Sequence, residues 1–151
     1  MRVKADVRVL QQIPLFADSE AGHLQLLSFA SKRVNLDKGS ILFQKGTTGA
    51  AAYLVLEGRA EVYDTAEASG DVVATAESGA LLGELSMIAN VAYGVTVKTA
   101  SAFAAQKIDR ELFLRVAGEF PEFGAGILRK LASRLGLSVQ AIAMVKPLFQ
   151  A

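Results

Sequence analysis

Gly83-Glu84-Leu85-Ser86-Met87-Ile88 decides how this chain reads. A glycine, an acid and then apolar residues spell a turn that opens a short helix. The first amides of a helix have no partner inside it, and the aligned peptide dipoles favour negative charge at that end. A start of this kind can hold an anion. The run follows a series of short strand-like segments divided by glycine. In that setting it predicts one wall of a small-molecule pocket rather than a surface turn.

Residues from about 32 to 109 read as all-β. Glycines at 39, 46, 49, 58, 70, 79 and 83 separate short runs rich in Val, Ile, Leu, Tyr and Thr. Ala51-Ala52-Tyr53-Leu54-Val55-Leu56 is apolar on both faces and predicts a central strand. Arg59-Ala60-Glu61-Val62-Tyr63-Asp64 alternates with period two and predicts a half-buried strand. Val95 to Ile108 predicts two strands around Ala100-Ser101. Many short strands so spaced suggest a sandwich or a jelly-roll barrel.

Helices flank this β region. Residues 1–31 read as helical, with Pro14 separating a short first helix from a second. In the second, Leu24, Leu27 and Phe29 cluster, and Asp18 or Ser19 is the expected cap. Residues 110–151 form a helical extension. Asp109-Arg110-Glu111 reads as a helix start with acids at the favourable end of the dipole. Pro121 suits the first turn of a long helix, where its missing amide does no harm. Leu128, Leu131, Leu135, Ser138, Ile142, Val145 and Phe149 then follow a 3,4 spacing, a heptad-like seam. Such a seam docks on the chain's own barrel or pairs with a second copy, and its length favours a homodimer. The whole reads as one domain, 1–151: mainly β, with N-terminal helices and a long C-terminal helix.

The 151 residues are 52% hydrophobic, enough for a sizeable core and against disorder. A net charge of +1 does not describe a nucleic-acid-binding surface. With no cysteine there is no disulfide, thiolate zinc site or cysteine nucleophile. The single histidine, His23, lacks metal-ligand partners at suitable spacing and reads as solvated or capping. No Ser/His/Asp set can be assembled, so an enzyme is not expected. A cupin-type metal enzyme needs clustered histidines that one residue cannot supply. No run is apolar enough to span a bilayer, and the charged N-terminus lacks a signal-peptide core, so a cytoplasmic protein is expected.

The residues now carry a resemblance. The chain resembles the cyclic nucleotide-binding domains of catabolite-activator-like regulators, kinase regulatory subunits and gated channels. The matching elements are Ile13-Pro14-Leu15-Phe16; Gly39, Phe43 and Gly46; Tyr53-Leu54-Val55 with Gly58; and Gly79 leading into Leu82-Gly83-Glu84-Leu85. Thr96-Val97 follows, and the helix from Pro121 through Leu135 resembles the family's terminal helix. The resemblance covers nearly the whole chain. It implies a double-stranded β-helix (jelly-roll) barrel and a ligand-sensing regulatory role, with cAMP or cGMP, or a related small anion, as ligand and no other cofactor.

The resemblance also implies roles. The family's cassette glutamate binds the ribose 2′-hydroxyl, a role that falls on Glu84. Its arginine, ten residues after the cassette glycine, pairs with the cyclic phosphate, and here Tyr93 stands at that position with Gly94 after it. An arginine fork fits two phosphate oxygens, whereas tyrosine offers one neutral donor. Losing a hydrogen bond to a charged group worth ~1.5–3 kcal/mol weakens binding roughly 10- to 150-fold. The amides of Leu85 and Ser86 and the hydroxyls of Tyr93 and Thr96 can recover part of this. Lys98 shares a strand face with Thr96.

Each of these residues also has a plainer reading. Glu84 can pair with a nearby cation or cap its own helix. Tyr93 can pack on the barrel, hydrogen-bond a phosphate, or stack on an uncharged ligand. Ser138 is either a tolerated small residue in the seam or, as in activator-type relatives, a contact to the base near a dimer interface. Activator-type relatives continue into a helix-turn-helix, and these residues hold no recognition helix. The expectation is therefore a stand-alone sensor or one domain of a longer transcription regulator, with a homodimer through the C-terminal helix. The alternative is a degenerate domain that binds no nucleotide and acts as a protein-interaction module.

Overall fold

Strand β3, Ala51–Glu57, is buried along most of its length because it serves two cores at once. Successive side chains of a strand point to opposite faces. Ala51, Tyr53 and Val55 face a core shared with Phe43, Val62, Val97 and Phe103. Ala52 and Leu54 face a second core of helical residues, among them Leu24, Phe113 and Ile127. An apolar run without alternation is what such a position demands.

The computed structural model of the chain describes residues 7–135. Helix α1 (Val7–Gln11), a single 3-10 turn (Pro14–Phe16) and α2 (Ala21–Ala30) come first. Strands β1 (Lys32–Leu36) and β2 (Ile41–Phe43) precede β3; β4 (Ala60–Tyr63), β5 (Val72–Ala76) and β6 (Leu81–Leu82) follow it. A short helix α3 (Glu84–Ala89) then leads to β7 (Thr96–Thr99) and β8 (Phe103–Asp109). Helices α4 (Arg110–Glu119) and α5 (Pro121–Leu135) complete the described chain. The strands form two antiparallel four-stranded sheets, ordered β1-β8-β3-β6 and β2-β7-β4-β5. Eight strands in two facing sheets make a jelly roll, one of the two forms that the strand spacing suggests and the one that the resemblance implies. The helices cover the outer face of the first sheet.

Two anchors hold helices to that sheet. Gln106, buried in β8, donates through Nε2 to Ser28 O at 2.7 Å and also to the Ser31 hydroxyl, which fixes the end of α2. A buried amide must be satisfied in this way. Asp109 caps α4 by accepting from the Leu112 amide at 2.8 Å. Pro121 is the first residue of α5, as expected.

Three local expectations differ. The residue capping α2 is Glu20, with no side-chain bond to the helix, and neither Asp18 nor Ser19 takes that place. Asp18 instead pairs with Lys130 across the groove to α5, at 2.8 Å. Phe29 is 79% exposed, because it lies on the side of α2 away from buried Leu24 and Leu27. In β4, Val62 and Tyr63 are both buried rather than alternating, since a register shift opposite β5 falls between them. In the C-terminal seam Leu128 and Leu131 are buried, and Leu131 belongs to the helical core. Ser138, Ile142, Val145 and Phe149 lie outside the described residues.

Candidate ligand pocket around Gly83 and Tyr93

The turn before α3 depends on Gly83, whose φ of 81° lies in the left-handed region that favours glycine. The backbone there also passes close to its neighbours. A Cβ on Gly83 would come within 2.9 Å of Ala51 O and of a Tyr93 ring carbon. No side chain caps α3, and Glu84 and Leu85 stand in its first turn. Glu84 is half-buried and Leu85 is exposed, while Ser86 is buried and its Oγ accepts from the Ala50 amide at 3.2 Å. At the far end the Arg110 guanidinium donates to Met87 O at 3.0 Å and Ile88 O at 2.6 Å. A cation is favoured there by the helix dipole. Burial holds the Arg110 pKa below its ordinary value.

Tyr93 turns inward. Its ring stacks on Phe43, with centroids 4.0 Å apart and planes 12° from parallel. Its hydroxyl donates to Ala51 O at 2.8 Å and accepts from the Ala51 amide at 3.2 Å. Gly49 lies against the same phenol: a Cβ there would sit 2.8 Å from the hydroxyl. Burial raises the Tyr93 pKa, opposed by hydrogen bonding to the Ala51 backbone and to Ser86. The hydroxyl is therefore neutral at ordinary pH and already fully engaged.

The backbone around Tyr93 is zipped to the β2–β3 loop. Tyr93 N donates to Thr47 O and Gly46 N donates to Tyr93 O, both at 2.9 Å. Thr96 is buried and its Oγ1 accepts from the Lys45 amide at 2.9 Å. Gly94 is exposed, and Lys98 is half-buried opposite Glu61 and Ile41.

The structure thus brings Gly83, Ser86 and Tyr93 together, with Glu84 and Leu85 on the adjoining turn. It sets Gly94 at the surface and ties Thr96, the first residue of the inner strand β7, to the Lys45 amide; Ser138 lies outside the described residues. Sequence reasoning gave no site role to Phe43, Gly49 or Arg110. Phe43 and Gly49 carried a signal as an aromatic and a glycine beside the cassette's partner strand. Arg110 read only as part of a helix start. The cavity between α2 and α5 and the groove beside β1 and β8 are lined by no residue from 83 to 96.

Two facing sheets, a left-handed glycine turn into a short helix and a covering layer of helices make a helix-covered jelly roll. Residues 33–119 match the cyclic nucleotide-binding domain family, and the chain belongs to that family. Among curated proteins it is 30% identical over 110 residues to lysophospholipase nte1 of Neurospora crassa, covering 72% of this chain and 7% of that one. It is 27% identical over 110 residues to the cAMP-dependent protein kinase regulatory subunit of Schizosaccharomyces pombe, covering 73% and 26%. The chain therefore spans a minor part of these relatives' length. Among solved structures, the N-terminal domain of a transcriptional regulator from Streptomyces coelicolor is similar with a TM-score of 0.75 at 25% identity, covering 84% of this chain and 91% of that one. The sensor domain of the transcriptional regulator DNR from Pseudomonas aeruginosa gives 0.68 at 25% identity, covering 85% and 87%. No described helix is long and apolar enough to cross a membrane.

Proposed function

We propose that this chain is a regulatory domain that binds cAMP or cGMP only weakly and relays ligand binding through α5. One observation carries the reading: the Tyr93 phenol occupies the inner side of the Gly83 turn, locked to the Ala51 peptide. The family's phosphate-pairing arginine falls at this position, so the cyclic phosphate loses its cation and meets a ring already packed on Phe43. Moving a phosphate charge out of water without such a partner is unfavourable. The amides of Leu85 and Ser86 at the start of α3, together with Glu84, remain to hold a sugar-phosphate ring.

Arg110 supports the relay. It bonds the end of α3 and is also the first residue of α4, which packs against α5 through Phe113 and Phe123. A ligand that moves α3 therefore pulls on α4. It shifts α5 only by as much as it binds one arrangement better than the other. Pairing of two copies through the C-terminal helix, in a cytoplasmic regulator, belongs to the same proposal.

Isothermal titration with cAMP and cGMP tests this. Saturation at high micromolar to millimolar ligand is expected, and low micromolar binding would contradict it. A second reading, an interaction module that binds no nucleotide, is favoured by the close approach of Gly49 and Gly83 to the Tyr93 ring, which leaves the phenol filling the space. No heat at millimolar ligand would select that reading.

A further inference from the structure

Helix α5, from Glu122 to Ser133, lies across the segment from Leu15 to His23, and a cavity of about 320 Å³ opens between them. That is near the lower bound for small-molecule pockets. Leu15 and Phe123, both buried, give it an apolar floor. Its charged groups fall into two sets. Lys130 is held by Asp18 at 2.8 Å, and Glu20 lies 3.7 Å from His23 Nε2. Arg129 and Glu122 line the same cavity and have no ion-pair partner among the described residues. They are seven positions apart on α5, two turns or about 10 Å along one side of the helix. His23 stacks on Phe120 at 4.3 Å, and its Nδ1 is buried with no hydrogen-bond partner among the described residues. The imidazole lines the cavity wall, while the buried Nδ1 itself is shut off from solvent.

From this arrangement we propose that the groove between α2 and α5 binds a small amino-carboxylate zwitterion. Its carboxylate meets the Arg129 fork, its ammonium meets Glu122 and the His23 ring, and its carbon chain lies over Leu15 and Phe123. An anion alone leaves Glu122 facing the ligand's apolar end, and a cation alone does the same to Arg129. The site is separate from the Gly83 turn, but its occupant would tie α5 to the N-terminal segment. It thus acts on the helix through which the first site is read, and gives the domain an input that does not pass Tyr93.

Calorimetric titration of the full chain with L-leucine and γ-aminobutyrate, with butyrate and butylamine as single-charge controls, tests the proposal. The expected result is saturable binding of a zwitterion and not of the controls. Arg129→Ala should weaken that binding roughly tenfold or more, as loss of a charge-assisted bond implies. Glu122→Gln should weaken it in the same direction. Both residues are exposed, so these variants keep the fold. No binding of either zwitterion at millimolar concentration would overturn the proposal, as would equal binding of the controls or an affinity indifferent to both substitutions. The ligands and variants differ from those that test cAMP binding, so the two results are read independently.

Discussion

Tyr93 and the peptide of Ala51 form a two-way pair: the hydroxyl donates to the carbonyl at 2.8 Å and accepts from the amide at 3.2 Å. One phenol thereby ties the segment after α3 to the first residue of β3. Tyr93→Phe keeps the stack on Phe43 and removes both bonds, leaving buried Ala51 without them. The expected loss is about 1–3 kcal/mol of unfolding free energy. Urea denaturation should show it as a lower midpoint at unchanged slope. An unchanged midpoint would mean that the pair contributes nothing to the fold.

Gly49 and Gly83 make room for the ring in different ways. At Gly49 the obstacle is the phenol alone, 2.8 Å from an added Cβ. At Gly83 the backbone itself is left-handed and Ala51 O is also in the way. Gly49→Ala should therefore destabilise the parent and do so much less in a Tyr93→Ala background, a coupling of about 1 kcal/mol or more. Gly83→Ala should destabilise both backgrounds. Thermal melts of the variants decide, and strict additivity at Gly49 would exclude the clash.

Arg110 closes α3 by bonding Met87 O and Ile88 O. Arg110→Met keeps much of the stem and removes the donors. Stability should fall by about 1.5–3 kcal/mol, as for a charged hydrogen bond. Amide hydrogen exchange should quicken in α3 before it does in β3. Uniform exchange across both elements would argue that Arg110 does not hold this helix locally.

Burial raises the pKa of Tyr93, and burial followed by the Tyr93 charge raises that of Tyr53. Above about pH 10 an unfolded tyrosine loses its proton while these two keep theirs. The folded state then binds more protons than the unfolded state, so stability falls as pH rises. The contribution is complete below pH about 10 and is lost as pH climbs through the raised pKa values. Chemical denaturation followed across this alkaline range should show a shallower decline for Tyr93→Phe than for the parent.

Much of this was legible in the residues. Ala51–Leu56 carries apolar side chains toward both faces, and that pattern alone marks a strand packed on each side. Gly79 and Gly83 frame the cassette, and the mismatch at Tyr93 stands out once the resemblance is seen. Packing on the barrel was one of three readings of Tyr93, and the structure takes it, but the partners of its ring and hydroxyl were not legible. A phenol is at home on a surface or in a core, and its hydroxyl partner lies 42 positions away in sequence. The α2 start was misread for a similar reason: Asp18 is a good capping residue, but Lys130, far along the chain, holds it. Local chemistry gave the elements, and long-range pairing decided which side chains fill the pocket.

In the proposed function, Tyr93 takes the phosphate end of the pocket from the ligand. The most direct test is the ratio of cAMP affinities of Tyr93→Arg and the parent, measured by isothermal titration under one set of conditions. A gain of about tenfold or more is expected for the arginine variant, the lower bound for restoring a hydrogen bond to a charged group. Equal affinities, with the parent already binding at low micromolar concentration, would contradict it.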